Sequence, residues 1–284
     1  MTVVSMTEAK PLPLLAVREL CVDYASRAGL KRAVDRVSFT LDADEVLGLA
    51  GESGSGKSTV AFAIARLHRP PAFITGGSVT LDGTDVLGLK GETLRQWRWR
   101  DVSVVLQSAM NALNPLLRIE QQFADLFRAH GIRNRAEIRE RSVELLRMVG
   151  IEPDRLPDYP HRFSGGMRQR LVIAMALALK PKLIIMDEPT TALDVVVQRE
   201  LLEEVSALRR QLGFSILFIT HDLALMSQFC DRIGIMLNGE LVEIGPARQM
   251  SEAPQHAYTA KLWNAIPPLH PPEMPPRRVL ENIP

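Results

Sequence analysis

The chain has 284 residues, of which 46% are hydrophobic and 24% are charged, as is typical of a soluble globular protein of about two domains. Its 34 basic residues nearly balance its 33 acidic residues, which argues against a nucleic-acid-binding surface. Cys21 and Cys230 lie in apolar segments without metal-ligand spacing, which predicts buried thiols in a reducing compartment. We see no signal peptide, and the longest apolar stretch, 171–179, is about half a membrane span, so any membrane role is expected to need a partner.

The N-terminal part of the chain carries strand patterns. After a loose leader at 1–13, imperfect alternation of apolar residues predicts strands at 14–24 and 37–41. The polar insertion at 26–32 is expected to form a flexible loop between them. A hairpin is predicted at 78–86, because Asp-Gly favours a tight turn between strands.

The rest of the chain mixes helical and strand patterns. The predicted elements are a strand at 102–107, helices at 119–130 and 136–149, a buried helix at 171–179, a strand at 183–186, a helix at 195–212, a strand at 215–220, a helix at 223–230 and a hairpin around Asn238-Gly239. After Gly245-Pro246 the chain becomes polar and proline-rich, and the six prolines at 267–276 predict little regular structure in that stretch.

Residues 51–58 are the most informative segment. They read Gly-Glu-Ser-Gly-Ser-Gly-Lys-Ser, which matches the phosphate-binding pattern G-x-x-x-x-G-K-[ST] between an apolar strand and a helical run. Glycines let the backbone wrap around a phosphate, and the following helix presents its positive end to the anion. The Lys57 side chain can reach the β- and γ-phosphates, and the Ser58 hydroxyl can hold Mg²⁺. The predicted nucleotide-binding residues here are Gly51, Glu52, Ser53, Gly54, Ser55, Gly56, Lys57, Ser58 and Thr59.

Two acids end the predicted strand at 183–186. In a P-loop enzyme an acid in this place holds Mg²⁺, which predicts Asp187 as a metal ligand together with Ser58. The next acid, Glu188, is placed to polarise a water for attack on the γ-phosphate. A strand with a polar cap is the simpler alternative, but the P-loop upstream favours the catalytic interpretation.

Residues 163–170 connect the sequence to a family. They read Phe-Ser-Gly-Gly-Met-Arg-Gln-Arg before a predicted helix, with N-cap chemistry at Ser164. The segment closely resembles the Leu-Ser-Gly-Gly-Gln signature of ATP-binding cassette (ABC) ATPases, from which its first and fifth residues depart. The resemblance implies that Ser164, Gly165 and Gly166 bind the γ-phosphate of ATP that the other subunit holds.

Further family features fall in the expected order. Gln107 stands where the Q-loop glutamine touches Mg²⁺ and senses the γ-phosphate, and Asp194 ends a segment that resembles the D-loop at the dimer interface. His221 resembles the switch histidine, which can donate a hydrogen bond to the γ-phosphate. Tyr24 stands where the family stacks an aromatic ring on adenine, with a strand-edge tyrosine as the alternative. The resemblance thus implies four catalytic residues: Lys57, Gln107, Glu188 and His221.

The resemblance covers about 14–265 and implies a fold. It is an α/β protein with a P-loop NTPase core of the RecA-like type and an N-terminal antiparallel β-subdomain, at 14–97 and 164–245. A helical subdomain is inserted at 98–163, and 246–284 form a C-terminal extension. We expect Tyr258, Leu262, Trp263 and Ile266, at near-helical spacing, to pack as a short helix on the core or on a partner ATPase.

Two segments narrow the resemblance to the oligopeptide/dipeptide importer branch. They are 111–115, after Gln107, and 256–262, which is similar to the branch's C-terminal His-Pro-Tyr-Thr motif. Residues 108–112 depart from the usual branch sequence in a form that resembles members dedicated to oligosaccharides. The tail has no cysteine, so no iron–sulfur cluster is expected, and the implied cofactors are ATP and Mg²⁺.

The implied function is ATP hydrolysis that energises uptake of a small oligomeric solute by a bacterial ABC importer, from the cytoplasmic face of the inner membrane. Implied partners are two membrane permeases, a second homologous ATPase (a heterodimer in preference to a homodimer) and an extracytoplasmic solute-binding protein. Peptide is the preferred solute; oligosaccharide and nickel stay open, because the ATPase never touches the solute. A soluble ABC ATPase acting on nucleic acid or ribosomes would carry a coiled-coil insertion, a second cassette or a basic face. A non-hydrolysing regulatory cassette would lack Glu188 or His221.

Overall fold

The computed structural model describes residues 12–27, 29–106, 112–190 and 194–265. The described strands, numbered in chain order, are β1 (Leu15–Ser26), β2 (Gly29–Leu41), β3 (Val46–Ala50), β4 (Ala72–Leu81), β5 (Thr84–Asp85), β6 (Val102–Val105), β7 (Leu183–Asp187), β8 (Ser215–Ile219), β9 (Arg232–Leu237) and β10 (Glu240–Pro246). The described helices are α1 (Lys57–Ile64), α2 (Gly91–Arg100), α3 (Ile119–Ala129), α4 (Arg135–Met148), α5 (Gly165–Leu177), α6 (Val195–Leu212), α7 (Leu223–Phe229), α8 (Ala247–Glu252) and α9 (Ala257–Asn264), with short 3₁₀ turns at Pro153–Arg155 and Pro160–Arg162.

The smaller sheet is antiparallel, with strand order β2-β1-β4-β5. It confirms the two N-terminal strands and the Asp-Gly hairpin, but β2 begins earlier than predicted. The ladder between β1 and β2 closes at Ser26 and Gly29, so residues 29–32 are strand and not loop. An ion pair of 2.7 Å from Arg32 Nε to Asp23 Oδ1 spans the two strands. The sequence of these residues suggested a loop because it contains polar side chains. Those side chains are polar because β2 is an edge strand whose side chains here face solvent.

The larger sheet has the order β10-β9-β3-β8-β7-β6. Its strands are parallel except for the antiparallel pair of β9 and β10. Because parallel strands end at the same edge, the chain leaves β3, β7 and β8 side by side. That edge therefore brings together the segments that follow these strands: 51–58, Glu188 and His221.

Both faces of the larger sheet are buried, as a parallel sheet requires. Leu47 and Leu49 of β3 face one core with α1 and the smaller sheet, whereas Val46 and Ala50 face the other core with α5 and α6. The strands of this sheet were predicted from continuous apolar runs. That pattern arises because alternate side chains enter two different cores.

Helices α3 and α4 confirm the predicted pair of amphipathic helices and pack with α5 through Phe123, Phe127 and Leu146. They lie in the range 98–163 that is predicted as a helical subdomain. Residues 102–105 of that range form β6, which pairs with β7 at the edge of the larger sheet. The domain boundaries themselves stay predictions.

Two helices were not predicted. Helix α2 is polar and buries only Trp97, so it offers little apolar periodicity. Helix α8 follows Pro246 and buries Ala247 and Met250. Within the described ranges, no helix is both long enough and apolar enough to cross a membrane.

Candidate functional site

The loop between β3 and α1 has the backbone of a phosphate cradle. Gly51 and Gly56 have φ angles of +145° and +104°, which side chains rarely allow. A Cβ atom at Gly51 would lie 2.2 Å from the Met236 carbonyl oxygen, and one at Gly56 would lie 2.7 Å from that of Ala33. Helix α1 then starts with neither a side-chain cap nor an acidic residue in its first turn. Its positive end is thus left to an anion, which fits a phosphate.

Lys57 supplies a buried cation at this loop; only 7% of the residue is exposed. Its Nζ donates hydrogen bonds to the carbonyl oxygens of Gly51 (2.8 Å) and Glu52 (2.9 Å) and to Ser55 Oγ (3.3 Å). Burial lowers the pKa of Lys57, while the nearby Glu188 and Asp187 oppose that shift. A phosphate in the cradle would compete for this ammonium group, since its charge exceeds that of the carbonyl dipoles.

Ser58 and Asp187 bring two oxygen ligands together. The Ser58 hydroxyl donates a hydrogen bond of 3.1 Å to Asp187 Oδ1, joining α1 to the end of β7 across 129 residues of sequence. Burial raises the pKa of Asp187. One hydroxyl and one carboxylate would suit Mg²⁺, a hard cation that prefers oxygen ligands. In the described part of the chain, no group of three or more His, Cys, Asp and Glu side chains could hold a metal ion by itself.

Glu188 and His221 form a pair at the same edge. His221 Nδ1 lies 3.1 Å from Glu188 Oε1, with the histidine side chain 65% exposed and the glutamate side chain 19% exposed. Glu188 has a φ angle of +48°, and its N–H donates to the Ile219 carbonyl oxygen at 2.8 Å. Glu188 thus takes a left-handed backbone conformation directly after the end of β7.

The signature segment lies at the start of α5. Ser164 caps this helix, its Oγ accepting a hydrogen bond of 3.3 Å from the Met167 N–H. Asp194 caps α6 in the same way, with a bond of 3.0 Å from the Val197 N–H. A Cβ atom at Gly166 would lie 3.0 Å from Val197 Cγ1, so the two helix starts lie against each other.

The roles of the remaining predicted site residues stay predictions. Tyr24 is half-buried on β1, opposite Lys31 of β2, and its stacking on adenine stays a prediction. Ser53 is exposed in the loop, and Thr59 is half-buried in α1. Gln107 lies outside the described residues, as do 108–111 and 191–193.

Two supports of the loop were not predicted. The turn at Asn238-Gly239 braces it, because the Gly239 N–H donates to the Ser55 carbonyl oxygen at 3.0 Å. The Tyr258 hydroxyl accepts a hydrogen bond of 3.3 Å from the Glu52 N–H, 206 residues away. The sequence carried a signal for the second support, since Tyr258 belongs to the His-Pro-Tyr-Thr-like segment. That resemblance did not indicate which residue the tyrosine contacts.

A P-loop between β3 and α1, with paired acids at the end of β7, defines a nucleotide-hydrolysing class of α/β protein. A family model described as ABC transporter matches residues 34–191, which is more than half of the chain, and the chain therefore belongs to this family. A solved dimeric structure of the ATP-binding cassette MJ0796, in a post-hydrolysis state with ADP and Pi, is 28% identical. It matches with a TM-score of 0.72 over 82% of this chain and 99% of that one.

Curated relatives are more similar in sequence. The peptidoglycan transport ATP-binding protein YejF of Agrobacterium fabrum is 48% identical over 94% of this chain, which spans only 50% of that relative's length. A putative peptide import ATP-binding protein of Brucella abortus is 47% identical over 92% of this chain and 79% of the relative. The oligopeptide transport ATP-binding protein OppD of Bacillus subtilis is 40% identical over 90% of this chain and 72% of the relative.

These similarities confirm the predicted family, fold class and enzyme class. The chain is an ABC ATPase subunit homologous to the ATP-binding proteins of peptide importers. ATP is the ligand of such a cassette. The roles of individual residues stay predictions, and they are taken up as proposals below.

Proposed function

We propose that this chain hydrolyses ATP to drive peptide import, as a peripheral subunit at the cytoplasmic face of a bacterial membrane. The observation that carries the proposal is the convergence at one sheet edge of a buried lysine, a hydroxyl–carboxylate pair and a glutamate–histidine pair. Each group suits one part of a phosphoryl transfer to water.

The binding half of the site consists of the loop and Lys57. Backbone N–H groups of 54–59 surround the β- and γ-phosphates, and the Lys57 ammonium moves from the carbonyl oxygens of Gly51 and Glu52 to the phosphate oxygens. The lysine is already buried and partly dehydrated, so its charge acts at short range and with little screening.

The catalytic half consists of Ser58, Asp187, Glu188 and His221. Ser58 and Asp187 would hold Mg²⁺, which when bound neutralises charge on the phosphate oxygens. The Glu188 carboxylate accepts a hydrogen bond from the attacking water and orients it towards the γ-phosphorus. His221, held at 3.1 Å from Glu188, keeps the carboxylate in place and presents its other ring nitrogen towards the γ-phosphate. Gln107 is proposed to add a contact to the metal.

The site is completed by a second ATPase. Ser164, Gly165, Gly166 and Asp194 make local hydrogen bonds and contacts at the starts of α5 and α6, which leaves the outer surface of these helix starts to a partner. Val195 and Val196 beside them are 81% and 67% exposed. The similar cassette MJ0796 is dimeric, which supports a two-cassette assembly.

The import partners follow from the relatives. The Brucella and Bacillus proteins are named for peptide import and oligopeptide transport, and the Agrobacterium protein for peptidoglycan transport. We assign a peptide as the solute, which includes peptides released from cell walls. Two membrane permeases and an extracytoplasmic binding protein complete the proposed importer.

The test uses the assembly of this chain with its partner ATPase and permeases in liposomes. We expect ATP hydrolysis to rise when the cognate binding protein carries a peptide, and to disappear in the Lys57→Ala variant. A panel of peptides, cell-wall peptides, oligosaccharides and nickel identifies the solute class. Stimulation by oligosaccharide or nickel alone would contradict peptide import, and hydrolysis that survives Lys57→Ala would contradict the site.

A further inference from the structure

The C-terminal helix α9 reaches the phosphate-binding loop directly. Tyr258, in the first turn of α9, accepts the Glu52 N–H at its hydroxyl oxygen, with 3.3 Å between the two heavy atoms. Glu52 is the second residue of the loop, and its carbonyl oxygen accepts hydrogen bonds from Lys57 Nζ (2.9 Å) and from the Ser55 N–H (3.1 Å). The peptide group that joins Gly51 to Glu52 is held at its N–H by Tyr258 of α9 and at its carbonyl oxygen by Lys57 Nζ, at 2.8 Å.

Helix α9 is itself anchored on the core. The Glu243 carboxylate of β10 accepts hydrogen bonds from the N–H groups of Gln255 (2.7 Å) and His256 (3.0 Å), just before the helix begins. His256 Nδ1 then caps the helix by accepting from the Tyr258 N–H at 3.2 Å. Along the helix, Leu262 and Trp263 pack against the core shared by β3 and β7. A helix pinned at its start and along one face can hold a loop in one position.

The hydroxyl of Tyr258 interacts with the Glu52 carboxylate as well as with the Glu52 N–H. Burial raises the pKa of Tyr258; the hydrogen bond from the Glu52 N–H opposes this rise, and the neighbouring Glu52 carboxylate adds to it. The hydroxyl thus stays protonated at neutral pH and can donate to the carboxylate while it accepts from the N–H. This arrangement favours a single orientation of the Glu52 peptide.

We propose that Tyr258 is a positioning residue for nucleotide binding, which holds the Glu52 peptide so that the loop is preformed for phosphate and links the C-terminal segment to the nucleotide site. The inference rests on the proposed role of the loop in binding ATP. Preforming matters here because the loop is closely packed: a Cβ atom at Gly51, next to Glu52, would lie 2.2 Å from the Met236 carbonyl oxygen. A loop that loses this support must be reordered when nucleotide binds, which weakens affinity.

The experiment compares full-length variants. Tyr258→Phe keeps the ring but removes the hydroxyl, and Tyr159→Phe is the matched control, since it makes the same chemical change beside Arg118 in the helical region. Binding of Mg-ADP is measured by calorimetry. We expect a roughly two- to tenfold weaker Kd for Tyr258→Phe, the range that one neutral hydrogen bond allows, and no change for Tyr159→Phe.

Two further readouts separate positioning from general stability. Hydrogen exchange of the peptide that contains Glu52 should be faster in nucleotide-free Tyr258→Phe, and ATPase assays of the assembly should show a raised KM with kcat within about twofold. Glu243→Gln, which loosens the start of α9, should shift the Kd in the same direction, and the double variant should weaken binding by less than the product of both effects.

The outcomes distinguish the inference from the proposed function. If the wild-type chain binds Mg-ADP and Lys57→Ala does not, the loop is the site. Unchanged or tighter binding in Tyr258→Phe would then overturn the positioning role alone. A wild-type affinity that is also unaffected by Lys57→Ala would overturn the proposed site, and the positioning role with it.

Discussion

Burial of Asp187 disfavours its carboxylate form, although the proposed role in metal binding needs that charge. Its pKa is raised chiefly because burial disfavours the carboxylate, while the Ser58 hydroxyl and Lys57 oppose that shift. A carboxyl group with a raised pKa in the folded state binds its proton more tightly there than in the unfolded chain. It therefore favours folding at low pH, and this contribution is lost as the pH rises through the folded-state pKa.

We predict that Asp187→Asn stabilises the chain at neutral pH when neither nucleotide nor metal is present. The amide oxygen can still accept from Ser58, but no charge is buried. The gain in Tm should shrink as the pH falls through the folded-state pKa and should vanish below the ordinary value of 3.8. Thermal unfolding of both proteins in EDTA from about pH 8 to about pH 3 checks it. A gain independent of pH would contradict the assignment to the carboxyl charge.

Glu188 gives a second prediction for a single residue. Glu188→Gln keeps the size, the left-handed backbone and a partner for His221, but removes the charge that orients the water. We expect nucleotide affinity within about twofold of wild type and hydrolysis slower by roughly 10²- to 10⁴-fold, the usual contribution of a general base. Calorimetry and phosphate release in the assembly measure the two quantities. Full-speed hydrolysis by the Gln variant would remove Glu188 from the mechanism.

Helix α6 shows how local sequence fixes an element. Asp194 caps its start, apolar residues such as Leu201, Leu202 and Val205 bury one face, and Gly213 ends it with φ +69° and ψ +47°. The left-handed end sends the chain back into β8, whose first residue is Ser215. Asp194 caps the start of this helix, so fixing the two ends of the helix also fixes the position of Asp194.

We predict that Gly213→Ala destabilises the chain by about 1 kcal/mol, since an L side chain in the left-handed region is strained. The nearest atom to a new Cβ is Asp44 Oδ1 at 3.6 Å, so no clash adds to the strain. Gly213→Asn is the matched variant and should cost less, because asparagine tolerates this conformation. Urea unfolding of the three proteins provides the comparison, and equal losses for Ala and Asn would exclude backbone strain as the cause.

Elements with a strong local pattern could be predicted from the sequence, and elements defined by distant contacts could not. The strand before Gly51 and the helix from Lys57 were clear because motif and apolar runs agree over a short range. Helix α2 was not predicted because it is polar and buries only Trp97, so its sequence shows little apolar periodicity. The contact between Tyr258 and Glu52 could not be predicted from the sequence, because no local pattern joins residues 206 positions apart.

At the scale of the whole molecule, helices α8 and α9 pack against the core. Ala247 and Met250 of α8 are 6% and 1% exposed, and α9 contacts the loop through Tyr258. Removing this segment would uncover buried apolar surface and release Glu52 from Tyr258. Point variants on α9 are therefore more informative than truncation.

The proposed role of Ser164 depends on a second chain. Lys57, Asp187 and Glu188 lie at the edge of the larger sheet, whereas Ser164 begins α5 and is bonded only to its own helix in the described contacts. A helix start with a serine hydroxyl suits a γ-phosphate, the part of ATP that hydrolysis removes. If it binds the partner's ATP, the two chains close on ATP and separate on ADP, because only ATP contacts both.

We predict that Ser164→Arg blocks hydrolysis at the partner's site and leaves the chain's own site intact. The test is a co-purified pair of distinguishable ATPases in which one at a time carries the change, with trapped nucleotide assigned to each chain. Ser164→Ala serves as the control, since it removes the helix cap without adding bulk or charge; it should lower stability by about 1 kcal/mol and slow the partner's site less than the arginine does. Because the arginine would occupy the space of the partner's γ-phosphate, trapping should be lost on the unmodified chain. Loss on the chain that carries the arginine, with its partner unaffected, would refute the arrangement in trans.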